Sequence, residues 1–296
     1  MKKTVALFGP IGMLGSAVYG VLHEKYNLVL VLRDIDRLPI LDKAYGGVDQ
    51  HRGVFFDSDA LMNEYAEGFA DQSASPVWQK LISDIGPVDG VVNCIGVTNR
   101  FSQQQPLIAY FMNSAFPHLL AQEYGSALIH ITTDCVHNGN SGAPYTEQSI
   151  PSPTDLYGLT KMLGEPTNRS LVLRTSIIGP EIAGFVSLLE WVRKQEGKTI
   201  AGYTNHLWNG VTTKQFGLIV DQIFSNRQLF PDHGLFHVFS SDVSKYDMVT
   251  AIAKKYSINV TVTPDDGPIL DRRLRTVFPV NEQLKIPPFE TMLAAL

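Results

Sequence analysis

The sequence predicts an α/β fold, a doubly wound parallel sheet followed by a smaller C-terminal α/β lobe. Three observations lead there. Short apolar runs alternate with helical segments from Thr4 to Thr175, and a glycine-rich turn joins the first run to the first helix. After Ile178-Gly179-Pro180 the alternation gives way to a shorter, more irregular pattern. The boundaries expected from this are residues 1–178, rejoined by roughly 211–240, for the dinucleotide-binding part, and 179–210 with 241–296 for a substrate-binding lobe.

Composition bounds the possibilities. At 296 residues, 44% hydrophobic and 18% charged, the chain has the makings of a soluble globular protein with a large core. Its net charge of −5 gives no attraction for nucleic acid or for an anionic membrane. The two cysteines, Cys94 and Cys135, form no disulfide framework, and the eight histidines lack metal-site spacing, so no metal is expected. Met1-Lys2-Lys3 before Thr4 to Phe8 resembles the start of a secretory signal, but Gly9-Pro10 ends the apolar run at once. No stretch reaches the ~18 apolar residues of a membrane span. A cytoplasmic enzyme is the expectation.

Thr4 to Phe8 reads as a strand, followed by Gly9-Pro10-Ile11-Gly12-Met13-Leu14-Gly15 and a helix to about Glu24. Asn27 to Leu32 is a second buried strand. This strand, glycine turn, helix, strand unit implies a parallel pair with a right-handed crossover, the Rossmann-type arrangement. Glycines at 9, 12 and 15 let backbone approach a pyrophosphate, whose charge the helix N-terminus stabilises, so Gly9, Ile11, Gly12, Met13, Leu14 and Gly15 are cofactor candidates. Just past the second strand stand Arg33 and Asp34. An acid there would bond a ribose 2′-hydroxyl and an arginine a 2′-phosphate; with Arg33 first, NADP(H) is preferred over NAD(H).

Gly53 to Phe56 is a short strand ending at Asp57, a candidate adenine contact, and residues 58–75 read as a polar surface helix and loop. Trp78 to Ile85 is helical, and Asp89 to Cys94 is a strand that delivers Asn93, Cys94, Ile95 and Gly96 to the cofactor. A helix from Pro106 to Tyr124, interrupted near Pro117, carries Asn113, which either faces the active tyrosine or is an ordinary helix polar residue.

The chemistry concentrates next. Ala127 to Ile131 is a buried strand ending in Thr132-Thr133-Asp134, and Val136 to Asp155 is a long binding loop. A helix from Tyr157 to about Asn168 puts Tyr157 and Lys161 one turn apart on one face. A phenol ionises near pH ~10, and an ammonium beside it favours the phenolate, so the pair can exchange a proton near neutrality. The Thr133 hydroxyl at the strand end is placed to hold a carbonyl there. Leu171 to Thr175 is a sixth strand; helices at 185–195, 212–224 and 245–256 and strands at 235–239 and 258–262 follow.

Gly9, Gly12 and Gly15, Thr132-Thr133-Asp134 and Tyr157 through Lys161 together resemble the extended short-chain dehydrogenase/reductases. Gly139, Gly142-Ala143-Pro144-Tyr145, Glu147, Pro151, Gly158, Gly164-Glu165 and Leu173-Arg174-Thr175-Ser176 are similar to their dTDP-4-dehydrorhamnose reductase group. The resemblance implies an NAD(P)-dependent reductase of a nucleotide-activated 4-keto-6-deoxy sugar, serving deoxysugar or polysaccharide biosynthesis. It implies that Tyr157 donates the proton, that Lys161 lowers its pKa and holds the nicotinamide ribose, and that Thr133 bonds the keto oxygen. It also suggests a homodimer through the 106–124 and 157–168 helices.

Two positions where that group carries aromatics hold Cys135 and His137, which with Asp134 are candidates to face the sugar; Cys135 is otherwise a small packed side chain or a reactive thiol, and His137 a loop cap. Asp134-Cys135 lacks the second acid of related dehydratases, which argues against dehydration. In the lobe, Trp208 either stacks on the base or packs in the core, and Arg272 or Arg273 either pairs with the diphosphate or is solvated. Two other readings stay open on the same fold: an epimerase with a bound, recycled NAD, and a non-catalytic regulatory subunit.

Overall fold

The structure is a computed structural model that describes residues 2–68 and 75–296. Six strands arrive in the expected order: β1 (Thr4–Phe8), β2 (Asn27–Leu32), β3 (Arg52–Phe55), β4 (Gly90–Asn93), β5 (Leu128–Thr133) and β6 (Leu171–Thr175). Five more follow: β7 (Ile177–Ile178), β8 (Thr199–Tyr203), β9 (His206–Trp208), β10 (Val211–Thr212) and β11 (Gly234–His237). The central sheet is seven-stranded and parallel, in the order β11-β6-β5-β4-β1-β2-β3. From β1 the chain winds one way to β3, then crosses back to β4 and winds the other way. The crevice at the C-terminal ends of β1 and β4 is therefore the topological switch point.

Helices on both faces explain why these strands are continuous apolar runs rather than alternating ones. The pleat sends Val5 and Leu7 into one core and Ala6 and Phe8 into the other. The first core lies under α1 (Met13–Leu22) and α10 (Thr213–Ser225). The second lies under α4 (Pro76–Ile85) and α7 (Phe116–Tyr124), where Phe116 stacks on Phe56 with ring centroids 5.0 Å apart. Shorter helices on the way are α2 (Leu38–Tyr45), α3 (Ser58–Ala66), α5 (Asn99–Gln104) and α6 (Pro106–Tyr110), and the catalytic candidates ride on α8 (Leu156–Leu163).

A third core belongs to the lobe and joins α9 (Leu188–Arg193), α11 (Lys245–Lys255) and Phe289. There β8 pairs with β13 (Thr261–Asp265), and β9 lies between β12 (Val243–Ser244) and β14 (Leu270–Asp271). Two short helices, α12 (Val280–Leu284) and α13 (Phe289–Ala294), end the chain. Between β7 and β11 the chain returns to the main sheet, since β11 extends it beside β6.

Several boundaries differ from the sequence reading. The 106–124 helix breaks at a π-helical turn, Phe111–Ala115, while Pro117 sits in the first turn of α7, where a missing N–H is harmless. The catalytic helix stops at Leu163 rather than Asn168, because Gly164 caps it and Pro166 cannot continue it. The lobe strand expected at 258–262 forms at Thr261–Asp265. Of the expected 58–75 segment, Ser58–Ala66 is helical and residues 69–74 lie outside the described residues.

Candidate active site

The glycine turn shows three different uses of glycine. Gly9 has φ +77°, a left-handed conformation that favours glycine. A Cβ on Gly15 would lie 2.0 Å from the Gly9 carbonyl, so this glycine serves the turn's own packing. Gly12 is exposed, caps the start of α1, and a Cβ there would meet only the Gly9 carbonyl at 3.5 Å. Gly12 and half-buried Met13 thus present open backbone at a helix N-terminus, which fits a pyrophosphate. Ile11 and Leu14 turn their side chains into the first core.

At the ends of β2 and β3 an open cleft of about 220 Å³ is lined by Arg33, Phe55, Phe56, Asp57, Ser58 and Asp59. Asp34 accepts from the Asp36 amide at 3.1 Å, and Asp57 caps α3 by accepting from Ala60 at 2.9 Å. Both acids are engaged in turns, while Arg33 is exposed at the cleft. At the switch point, Asn93 is fully buried and shapes the strand end. Its Oδ1 accepts from the Ile95 amide at 3.1 Å, which leaves Nδ2 to donate to His130 Nδ1 at 3.2 Å. Cys94, Ile95 and exposed Gly96 follow at the mouth of the crevice.

Tyr157 is half-buried near the start of α8, whose N-cap Asp155 accepts from the Gly158 amide at 2.7 Å. Gly158 permits close approach, since a Cβ there would lie 2.2 Å from the Cys135 carbonyl. Thr133 ends β5; its hydroxyl donates to Asp134 at 3.2 Å and accepts from the Cys135 amide at 3.2 Å. Lys161 is 3% exposed, and its Nζ donates to the Ile131 carbonyl at 2.7 Å.

Burial pushes the Tyr157 phenol above its ordinary range, Cys135, Asp134 and Asp155 push it the same way, and Thr133 pulls it down. The phenol is therefore protonated at rest, the state a proton donor needs. Burial also lowers Lys161 to about 8, opposed by Glu165 and Cys94.

The substrate-side residues divide. Asp134 is buried, which raises its carboxyl, while Arg272 pulls it back down. The Cys135 thiol is pushed up to about 12, chiefly by burial, so it is a packed, protonated neighbour of Tyr157. His137 has no exposed surface: it stacks on Tyr145 at 4.1 Å and lies beside Arg174, beneath the loop rather than on the cleft. Trp208 packs edge-on against Phe289 at 5.8 Å, in the lobe core. Arg273 is paired with Asp271 and Asp242, both at 2.7 Å. Its neighbour Arg272 instead lies at the end of β5, donating to the His137 carbonyl at 3.1 Å and approaching Cys135 Sγ at 3.3 Å. Asn113 is fully buried and braces the site indirectly, bonding both backbone groups of Val97 and the Thr160 hydroxyl.

Two residues escaped the sequence reading. Lys245, the first residue of α11, acts on Asp134 and His206, as Arg272 does. A lysine in a helix's first turn opposes the helix dipole, and that was the available signal. His206 lies beside Tyr203 and its Nε2 is buried without a partner. Among the described residues no group of three or more His, Cys, Asp or Glu is arranged for a metal, and no helix is long and apolar enough to cross a membrane.

Comparison with known proteins fits this geometry. A family model described as the RmlD substrate binding domain matches residues 3–269. The spore coat polysaccharide biosynthesis protein SpsK of Bacillus subtilis (strain 168) is 29% identical over 59% of this chain and 63% of its own. Methionine adenosyltransferase 2 subunit beta of Rattus norvegicus is 30% identical over 64% of this chain and 60% of its own. The match thus spans under two thirds of those relatives' length. In fold, a dTDP-4-dehydrorhamnose reductase (rfbD) from Bacillus anthracis str. Ames in complex with NADP has a TM-score of 0.68 at 18% identity, covering 100% of this chain and 98% of that one.

Proposed function

We propose, since this chain belongs to the RmlD substrate binding domain family, that it is an NAD(P)H-dependent reductase of a nucleotide-activated 4-keto-6-deoxy sugar. The observation that carries the reading is Tyr157, a protonated phenol beside the Thr133 hydroxyl at the end of β5, next to the switch point. When bound, the nicotinamide supplies the hydride.

The chain supplies the rest. Gly12 and Met13 offer the pyrophosphate their backbone at the start of α1, and Lys161 anchors the nicotinamide ribose. Thr133 turns its hydroxyl from Asp134 to the keto oxygen, and Tyr157 gives that oxygen its proton as charge develops there. In the lobe, residues 179–210 and 241–296, Arg272 and Lys245 hold the anionic nucleotide diphosphate. Arg33 at its cleft favours NADP(H), since the two acids nearby are engaged as caps.

We take the assembly to be a homodimer through α6, α7 and α8, where Leu107 is 76% and Leu163 48% exposed; light scattering of the purified protein tests this. A second reading, a subunit that serves another enzyme, is favoured by one observation, the likeness to methionine adenosyltransferase 2 subunit beta. The test of both is NADPH oxidation with dTDP- and UDP-linked 4-keto-6-deoxy hexoses. Turnover on one of them supports the reductase; none on any, with a partner enzyme co-purifying, supports the subunit.

A further inference from the structure

The catalytic lysine has an unusual setting. Its ammonium is buried and its hydrogen bond goes to a neutral carbonyl, Ile131. The groups around it come from β4, β5 and α8 and from the residues just past α8. The Cys94 thiol, at the end of β4, is pushed far up by burial and stays neutral. His130, from β5, is fully buried and held well below its ordinary pKa, so it is neutral too. Its Nδ1 accepts from Asn93, which puts the ring proton on Nε2, a donor that cannot accept from an ammonium. Tyr157, one turn back on α8, is a neutral phenol. Glu165, four residues on and just past the helix end, is the acid that raises Lys161.

Glu165 is fixed rather than free to swing. Its carboxylate takes a bidentate grip from Arg174, at 3.1 Å to Nε and 2.7 Å to Nη2, with both side chains under 10% exposed. The remaining face of Arg174 meets two imidazoles, His237 Nε2 at 3.1 Å and His137 Nε2 at 3.4 Å. His237 Nδ1 donates to the Arg275 carbonyl at 2.8 Å, so its Nε2 is an acceptor. A buried arginine with one carboxylate and two neutral acceptors holds that carboxylate immobile.

We propose that Glu165, pinned by Arg174, is a positioning residue that keeps the positive charge on Lys161 during the reaction. The inference rests on the reductase reading above. In that reading a charged lysine stabilises the phenolate left when Tyr157 gives up its proton, and Glu165 holds that charge from outside the cofactor and substrate sites.

The test uses two variants, because Glu165→Gln leaves Arg174 buried and unpaired and endangers folding. The double variant Glu165→Gln/Arg174→Met removes both charges, a change buried pairs often tolerate. In each folded variant the titration of Lys161 is followed by NMR of the 13C-labelled side chain, and turnover is followed against pH. The expected result is a Lys161 that loses its proton at lower pH than in the wild type, by about one unit. The alkaline fall of turnover should shift with it: about 3-fold loss at pH ~7.5, growing toward ~10-fold above pH ~9, and recovery at pH ~6. A Lys161 titration unchanged in the double variant overturns the proposal. Wild-type protein that reduces no keto sugar overturns the reductase reading alone, since the lysine titration is read without turnover.

Discussion

Arg272 Nη1 lies 3.3 Å from the sulfur of Cys135, which brings a cation of the C-terminal strap to the strand end that carries Thr133. The next residue, Arg273, is locked into Asp242 and Asp271. Two adjacent arginines therefore have separable jobs. Arg272→Ala should raise the KM for the sugar nucleotide by roughly 10- to 100-fold, the worth of one charge-assisted contact, and leave the melting temperature nearly unchanged. Arg273→Ala should do the reverse, lowering Tm with little effect on KM. Equal KM effects would contradict the assignment.

Acid should loosen the protein through His137 and His237. Both are buried beside Arg174, and burial followed by that guanidinium holds them down to about 3 and about 4. In the unfolded chain each takes a proton near pH ~6.5, so below that pH the unfolded state binds more protons and stability falls. The contribution is complete above pH ~6.5 and is lost as pH drops through about 4. Thermal melts from pH 7.5 to 4 should show this decline, and His137→Gln/His237→Gln should flatten it. A decline of the same size in the double variant would assign it elsewhere.

Cofactor choice should follow Arg33. Arg33→Gln should weaken NADPH binding by roughly 10-fold, one ion pair's worth, and leave NADH binding unchanged, as fluorescence titration would show. Parallel losses for both cofactors would remove Arg33 from the 2′-phosphate.

The glycines of the first turn separate folding from binding. Gly15→Ala places a Cβ 2.0 Å from the Gly9 carbonyl and should cost about 1–3 kcal/mol of stability. Gly12→Ala meets only a 3.5 Å contact, so Tm should hold while cofactor affinity falls. Calorimetry on the two variants decides, and a Gly12→Ala protein that binds cofactor like the wild type would exclude a pyrophosphate there.

How far the sequence carries depends on the kind of signal. The strands of the main sheet and the spacing of Tyr157 and Lys161 follow from local periodicity, and the structure places them as expected. What periodicity lacks is direction beyond the element. Arg272 and Arg273 are alike in sequence, and only the path of the strap decides which meets Cys135 and which meets Asp271. One reading of His137 turns it to the sugar and the other to the loop, and only the buried Arg174 beside it shows that the ring has no exposed surface to offer. Asn113 is buried as one reading had it, but its amide bonds Val97 and Thr160, contacts across long separations that no spacing encodes. The hydrogen bond from the Lys161 ammonium to the Ile131 carbonyl, thirty residues back, is another contact that no spacing encodes.

The central claim is that Tyr157 protonates the sugar oxygen, and its most direct test is the turnover of Tyr157→Phe with NADPH and a nucleotide-linked 4-keto-6-deoxy hexose. The account predicts a folded variant that binds both ligands and loses at least ~10²-fold in kcat, the scale of one acid–base contribution. Wild-type kcat in that variant would contradict it.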